Sequence, residues 1–170
     1  EEGLDCGAIC LREEIEITEN MNYEELFELI SEKSPELIEV TLLNIKSGAL
    51  MPTEQCCENV TYANKIKKED SKIDWSKSAR EIHNFVRGLY KAPSAYCIYN
   101  NKNLKIEETI ILNDENFQQK KSGEVVNITK EGIEVAASKG NLMIKLVKPE
   151  GKAKMRAYEW ANGAKIKQGD

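Results

Sequence analysis

Two groups of residues in this 170-residue chain have the types and the spacing to do chemistry. The first is one carboxylate, Asp5, in the run Gly3-Leu4-Asp5-Cys6-Gly7. Flanking glycines suit a tight loop in which backbone passes close to a ligand. A carboxylate held there can orient a water or support a neighbouring imidazolium during proton transfer. Aspartate between glycines also commonly caps its own turn, and the local pattern leaves both readings open. The second group is Lys65, Lys67, Lys68 and Lys72, followed at once by Ile73-Asp74-Trp75. Lysines at this density neutralise phosphates without reading bases. Glu69 and Asp70 interrupt the run, so a solvated charged linker is the competing account.

Other reactive side chains carry blander readings. The five cysteines (Cys6, Cys10, Cys56, Cys57 and Cys97) are odd in number and lack a zinc-like spacing. They read as free thiols in a reducing cytosol, with no metal expected. No base is placed beside Cys6, which is expected to be a buried, inert thiol. His83 lies beside the apolar face of Ala79, Ile82 and Val86 and reads as a covered structural histidine. Trp75 is expected to anchor the lysine-rich stretch onto the following helix, whereas Trp160 suits packing or base stacking equally. Tyr96 and Tyr99, three apart in a strand, face opposite sides, so at most one can point outward to a base. Asn59 and Asn127 sit in glycosylation sequons, which carry no meaning in a cytosolic chain.

The charge distribution divides the chain. Residues 1–60 hold 15 acidic and 3 basic side chains, a formal −12, and residues 61–170 hold 14 and 21, a formal +7. A chain that changes sign at a lysine-rich connector reads as two pieces with different partners, the second suited to a polyanion. A hydrophobic fraction of 41% with 31% charged residues describes a folded globular protein. No apolar run approaches the roughly 20 residues of a membrane helix, and no membrane partner is expected.

The elements that must position these residues follow from periodicity. Ala8 to Ile17 is short, apolar and then alternating, which predicts a strand or hairpin. Asn22 with Glu25 opens a helix carrying Tyr23, Leu26, Phe27 and Ile30. Ser34-Pro35 predicts a restart, and a second helix runs to a stop at Gly48. Residues 49–60 read as loop. Ser78 with Glu81 caps a further helix whose buried face is Ala79, Ile82, Val86 and Leu89, ending by Pro93. Period-two segments follow at 94–99, 104–111, 123–129, 132–137 and 141–147, the first two joined across Asn100 to Asn103. Five short strands at this spacing predict a small closed barrel, and Met155 to Ala161 a short helix.

Four stretches carry a family resemblance. Gly3 to Gly7, GLDCG, resembles the GLDTG segment of methionyl-tRNA formyltransferases. The run TYANKIKKEDSKIDW at 61–75 resembles that family's linker, and SKSAREIHNFVRGL at 76–89 its following helix. KPEGKAKMRAYEWANG at 148–163 is similar to its C-terminal pattern. Lys91-Ala92-Pro93 departs from the Pro-x-Pro common there, and Cys6 from the usual threonine.

The resemblance implies a fold in two parts. An α/β segment, the end of a doubly wound formyltransferase domain, would occupy residues 1–50. A basic linker would follow over 51–75. A small all-β barrel of oligonucleotide-binding type with flanking helices, the tRNA-binding domain, would occupy 76–170. It implies transfer of a formyl group from 10-formyltetrahydrofolate to the α-amine of methionyl initiator tRNA in the cytoplasm. Asp5 would be catalytic, with Gly3, Leu4 and Gly7 in the folate loop. Lys65, Lys67, Lys68 and Lys72 would contact tRNA, with Arg87, Lys152, Lys154 and Arg156 along the barrel. The family's asparagine and histidine partners of the aspartate would precede Glu1, so the chain is expected to be a truncated form, inactive alone, of a monomeric enzyme. Two alternatives stand: a 10-formyltetrahydrofolate dehydrogenase or hydrolase, and a free-standing nucleic-acid-binding barrel.

Overall fold

A computed structural model describes residues 3–56, 60–113 and 120–170. Cys57 and Asn59 lie outside the described residues. The chain forms two compact units. One contains the residues up to Glu19 together with Glu25–Lys65, and the other contains Asn20–Glu24 with Ile66–Asp170.

The dominant element of the first unit is helix α1, Tyr23–Ser47, all but its first two residues lying in that unit. It opens where Asn22 Oδ1 accepts the Glu24 N–H at 2.9 Å, and it closes at Gly48, whose φ of +73° is the left-handed conformation that glycine adopts freely. The expected break at Ser34-Pro35 is absent, and one helix runs through Pro35. Ser34 does not cap. Its hydroxyl donates to the Ile30 carbonyl at 2.6 Å, as Ser31 does to Phe27 at 2.8 Å, so both serines stay inside the helix. Proline removes one rung, at a cost of about 3 kcal/mol, and good helix formers on both sides continue the ladder. The strand expected over 8–17 reduces to one bridge, Ile9 to Thr53, because no neighbouring strand lies alongside to extend it.

The second unit is built on an antiparallel sheet. Its strands are β1 (Tyr96–Tyr99), β2 (Lys102–Asn113), β3 (Val125–Thr129), β4 (Gly132–Ala136), β5 (Asn141–Pro149) and β6 (Met155–Arg156). They lie in the order β1-β2-β5-β4-β3, with β6 paired to β5. Five strands fall where period-two patterning put them. The two-residue β6 is too short to show any period. The β1–β2 turn is tighter than expected: Asn100 and Asn101 take φ of 46° and 61°, a two-residue reversal that brings Tyr99 opposite Lys102. Gly132 opens β4, where a Cβ would stand 2.1 Å from the Ile144 carbonyl oxygen.

Helix α2, Ala79–Gly88, covers β2, and helix α3, Ala157–Ala164, covers β5 and β4. The α2 cap is the expected reciprocal one. Glu81 N–H donates to Ser78 Oγ at 3.2 Å, and Ser78 N–H donates to Glu81 Oε2 at 2.9 Å. Hydrogen bonds from the Ser78 hydroxyl and backbone hold the Glu81 carboxyl below its usual range. Ala79, Ile82, Val86 and Leu89 are all buried, as their spacing requires. His83 is buried with them, its Nδ1 3.0 Å from Thr109 Oγ1 on β2, a satisfied core histidine.

The sheet does not close into the expected barrel. Among the described residues no strand pairs β1 with β3. Each outer edge is taken by a flanking segment instead. Ile73 N–H donates to the Tyr96 carbonyl at 2.8 Å, and Lys72 bridges Tyr96. On β3, Val125 exchanges bonds of 2.9 Å with the Asp170 carbonyl and the Gly169 N–H. Each flanking segment meets its strand at one residue, Tyr96 on β1 and Val125 on β3, where a closing strand would otherwise pair.

Helix α1 buries no residue, and Phe27, Ile38, Leu42, Leu43 and Ile45 are each more than half exposed. A stripe of this size drives association. The chain is expected to self-associate at micromolar concentration and Leu42→Glu to shift it toward monomer. Sedimentation velocity showing a monodisperse monomer for the unaltered chain would contradict this.

Candidate functional site

The loop around Asp5 is held from a distance. Gln55 Nε2 donates to the Asp5 carbonyl at 2.9 Å and to the Gly7 carbonyl at 2.6 Å. The adjacent Ile9–Thr53 bridge, with bonds of 2.8 and 2.9 Å, fastens the same two segments. Gln55 carries no sequence signal, since its partners lie 48 and 50 residues away. The left-handed residue is Asp5 itself, with φ of 60°, not either glycine. Aspartate tolerates that region better than most residues. At Gly3 a Cβ would stand 2.7 Å from Cys6 Sγ, so a larger residue there would displace that exposed thiol. Asp5 and Leu4 are exposed, so the carboxylate is presented outward on a braced turn. Cys6 is exposed too, correcting the expectation of a buried thiol; its Sγ donates to the Leu4 carbonyl at 3.2 Å.

Along the lysine-rich stretch the side chains of Lys65, Lys67, Lys68 and Lys72 are all exposed. One of the interrupting acids serves the backbone. Asp70 Oδ2 accepts the Lys67 N–H at 2.9 Å, and Glu69 and Asp70 open a single 3-10 turn ending at buried Ser71. Ser71 Oγ donates to the Lys68 carbonyl at 2.6 Å. The turn therefore fans Lys67, Lys68 and Lys72 outward while its apolar end, Ile73, enters the core. Lys65 belongs to the first unit and the other three to the second.

The remaining basic residues separate by geometry. Lys152, Lys154 and Arg156 are exposed around β6. Lys154 Nζ lies 5.6 Å over the Tyr90 ring, and Lys91 Nζ lies 6.0 Å from the same ring, a cation–aromatic group that sequence reading missed. Arg87 is drawn inward. Its Nε donates to Asn84 Oδ1 at 2.8 Å and its Nη1 to the Met21 carbonyl at 2.7 Å, tying the Asn20–Glu24 segment to α2. The Lys91–Glu24 ion pair reinforces that tie.

Between β1 and the start of β3 the open seam leaves a cleft of about 440 Å³, lined by Trp75, Cys97, Tyr99, Gly123 and Trp160 among others. Trp75 packs against the Gly123 turn, where a Cβ would meet its ring at 3.1 Å, and against the core cluster to which α2 contributes Ala79, Ile82 and Val86. Trp160 meets Tyr99 edge-on, with ring centroids 5.4 Å apart. Burial pushes the Cys97 thiol up to about 11. Among the described residues no cluster of histidine, cysteine and acidic side chains is arranged to hold a metal ion. Alkylation at pH 8 is expected to label Cys6, Cys10 and Cys56, which are exposed, well before Cys97, whose thiolate fraction there is on the order of a thousandth. Peptide mass spectrometry of a time course checks the order; early labelling of Cys97 would contradict the burial.

Comparison with known proteins agrees with this arrangement. The family described as formyl transferase, C-terminal domain, matches residues 65–165. A methionyl-tRNA formyltransferase from Thermodesulfovibrio yellowstonii is 40% identical across 99% of this chain and 53% of its own length. One from Clostridium beijerinckii is 36% identical across 98% of the chain and 53% of its own length. The chain thus spans about half the length of the curated relatives it matches. Among solved structures, HypX from Aquifex aeolicus in complex with tetrahydrofolic acid superposes with a TM-score of 0.66 at 17% identity, over 95% of this chain and 28% of that one. Methionyl-tRNA formyltransferase from Clostridium thermocellum gives 0.51 at 18% identity, over 69% and 49%. These likenesses are of fold. With an open six-stranded sheet, its flanking helices and a match through residue 165, the chain belongs to the formyl transferase C-terminal domain family, among relatives that are methionyl-tRNA formyltransferases.

Proposed function

We propose that the chain is the tRNA-holding part of a methionyl-tRNA formyltransferase together with the loop that supplies that enzyme's aspartate. The observation that carries this reading is the 36–40% identity to such enzymes along nearly the whole chain, the Asp5 loop included. In this reading Lys67, Lys68 and Lys72, fanned from their turn, contact the phosphate backbone, and Lys65 adds to them from the preceding segment. Lys152, Lys154 and Arg156 form a second basic group around β6. Arg87 acts on tRNA only indirectly, by fastening Asn20–Glu24 to α2. The sheet serves as an oligonucleotide-binding scaffold, an open relative of the barrel.

The exposed, braced presentation of Asp5 supports a catalytic role for it. An amine nucleophile must lose a proton as it attacks the formyl carbon of 10-formyltetrahydrofolate. An outward carboxylate on a braced turn can orient a water and support an imidazolium while the oxyanion forms. The imidazole is not His83, which is buried against Thr109 in the second unit. Residues 1–170 alone therefore bind tRNA without transferring formyl, and the enzyme acts in the cytoplasm, where translation starts.

Binding of initiator tRNA to the chain should weaken by orders of magnitude between 50 and 200 mM salt, as expected for a protein making several phosphate contacts. Binding that ignores salt would favour the folate-only dehydrogenase or hydrolase reading. When residues 1–170 are joined to the remaining half of the Clostridium beijerinckii relative, formyl transfer is expected. Asp5→Asn in that chimera should lower kcat by about 100-fold or more with tRNA affinity unchanged; a fully active Asp5→Asn chimera would refute the role.

A further inference from the structure

Tyr96 on β1, Lys105 on β2 and Lys148 on β5 stand directly opposite one another in successive registers, Tyr96 to Lys105 and Lys105 to Lys148. Paired residues share a face, and neighbouring strands lie about 4.8 Å apart, so the three side chains form a row roughly 10 Å long. Leu104 and Ile106, on either side of Lys105, are buried, which puts the row on the face turned away from the core. Lys72 bridges Tyr96 from the outer edge and continues the row by one more segment. Tyr96, Lys105 and Lys148 line one concavity of about 450 Å³, with Lys68 and Pro93 on its wall.

Two ammonium groups directly opposed on adjacent strands destabilise the sheet that carries them. Among the described residues neither Lys105 nor Lys148 has a carboxylate partner. Glu150, which lines the same concavity, is turned to the backbone and accepts the Asn103 N–H at 3.2 Å. The arrangement is one that an external anion would complete. An aromatic ring at one end and a proline wall add a surface for a sugar or an unpaired base beside the charge.

We propose that the Tyr96–Lys105–Lys148 row is a phosphate subsite for an RNA strand, continuous with Lys68 and Lys72, so that the strand crosses the sheet face instead of following the linker alone. This deepens the tRNA-binding reading above and rests on it. The ligand class is a phosphodiester chain, because the cations are strung in a line across strands and not gathered around one point. Lysines at these positions supply affinity and register and no base discrimination.

The test uses the whole chain with Lys105→Gln, Lys148→Gln, the double variant, and Lys130→Gln in the β3–β4 turn as a control outside the row. Binding of initiator tRNA and of an unrelated RNA is measured across a salt series, and melting temperature is recorded without RNA. The double variant should bind both RNAs about tenfold or more weakly at low salt, with a log–log salt slope shallower by roughly 1–2, while the Lys130 control matches the unaltered protein. Its melting temperature should hold or rise, since a repulsion has been removed. Three results overturn the subsite while leaving tRNA binding intact. They are unaltered affinity and slope in the double variant, a melting temperature several degrees lower in both single variants, or loss of binding to phosphatidylserine vesicles with RNA affinity unchanged. Failure of the unaltered chain to bind either RNA at low salt overturns the underlying reading as well.

Discussion

The β2–β5 ladder is the interaction on which the second unit depends. It runs from Leu104 opposite Pro149 to Asn113 opposite Asn141; both helices, β1, β4 and β6 attach to one or other of its two members, and β3 joins through β4. On the core side it supplies Leu104, Ile106, Leu142, Ile144 and Val147, all buried. Register shifts near Glu108 and Ile111 turn β2 enough to bring Thr109 beneath α2, where it meets His83. Because the period of a strand is two, the alternation that fixes those apolar contacts also fixes which lysines look outward. Core packing and surface charge are one constraint read from two sides.

That constraint explains why the lysine-rich stretch is ordered where it matters. Ile73 enters the core and hydrogen-bonds β1, so Lys72 is held beside Tyr96 in place of trailing on a free linker. Of the two acids within the run, which as sequence weigh against an anion-binding role, Asp70 is spent on the Lys67 N–H and both lie in the turn. Net charge alone misjudges such a segment, since a carboxylate already satisfied by backbone donors repels an approaching phosphate less than its formal charge suggests.

Much of the fold was legible in the residues, and where it was not the reasons are physical. The α2 cap, its buried face and five strand positions follow from local chemistry, and the core bears out each. Pro35 misled because the rule for proline concerns the backbone alone, whereas Ser31 and Ser34 show their hydroxyls engaged within the helix. The closed barrel failed because strand counting is blind to what meets the outer strands, and here Lys72–Ile73 meets β1 at Tyr96 and Gly169–Asp170 meets β3 at Val125. At the candidate site the residues that stand out were visible, but those that brace them were not: Gln55 and the Tyr90 cation group are joined to their partners across long separations in the chain. Arg87 is a case of partners the sequence did not show, since its donors reach Asn84 and the Met21 carbonyl.

The occupied edges have a consequence for how this surface survives in a crowded cell. A flat sheet face bearing unshielded cations is an invitation to polyanions, and polyanions concentrate the proteins they bind. Were the rims of that face open, crowding on a nucleic acid would bring strand ends together and seed fibres. Tyr96 on one rim and Val125 on the other already bond flanking chain, so at those two positions the sheet offers nothing for a further strand to pair with, however densely the molecules are gathered.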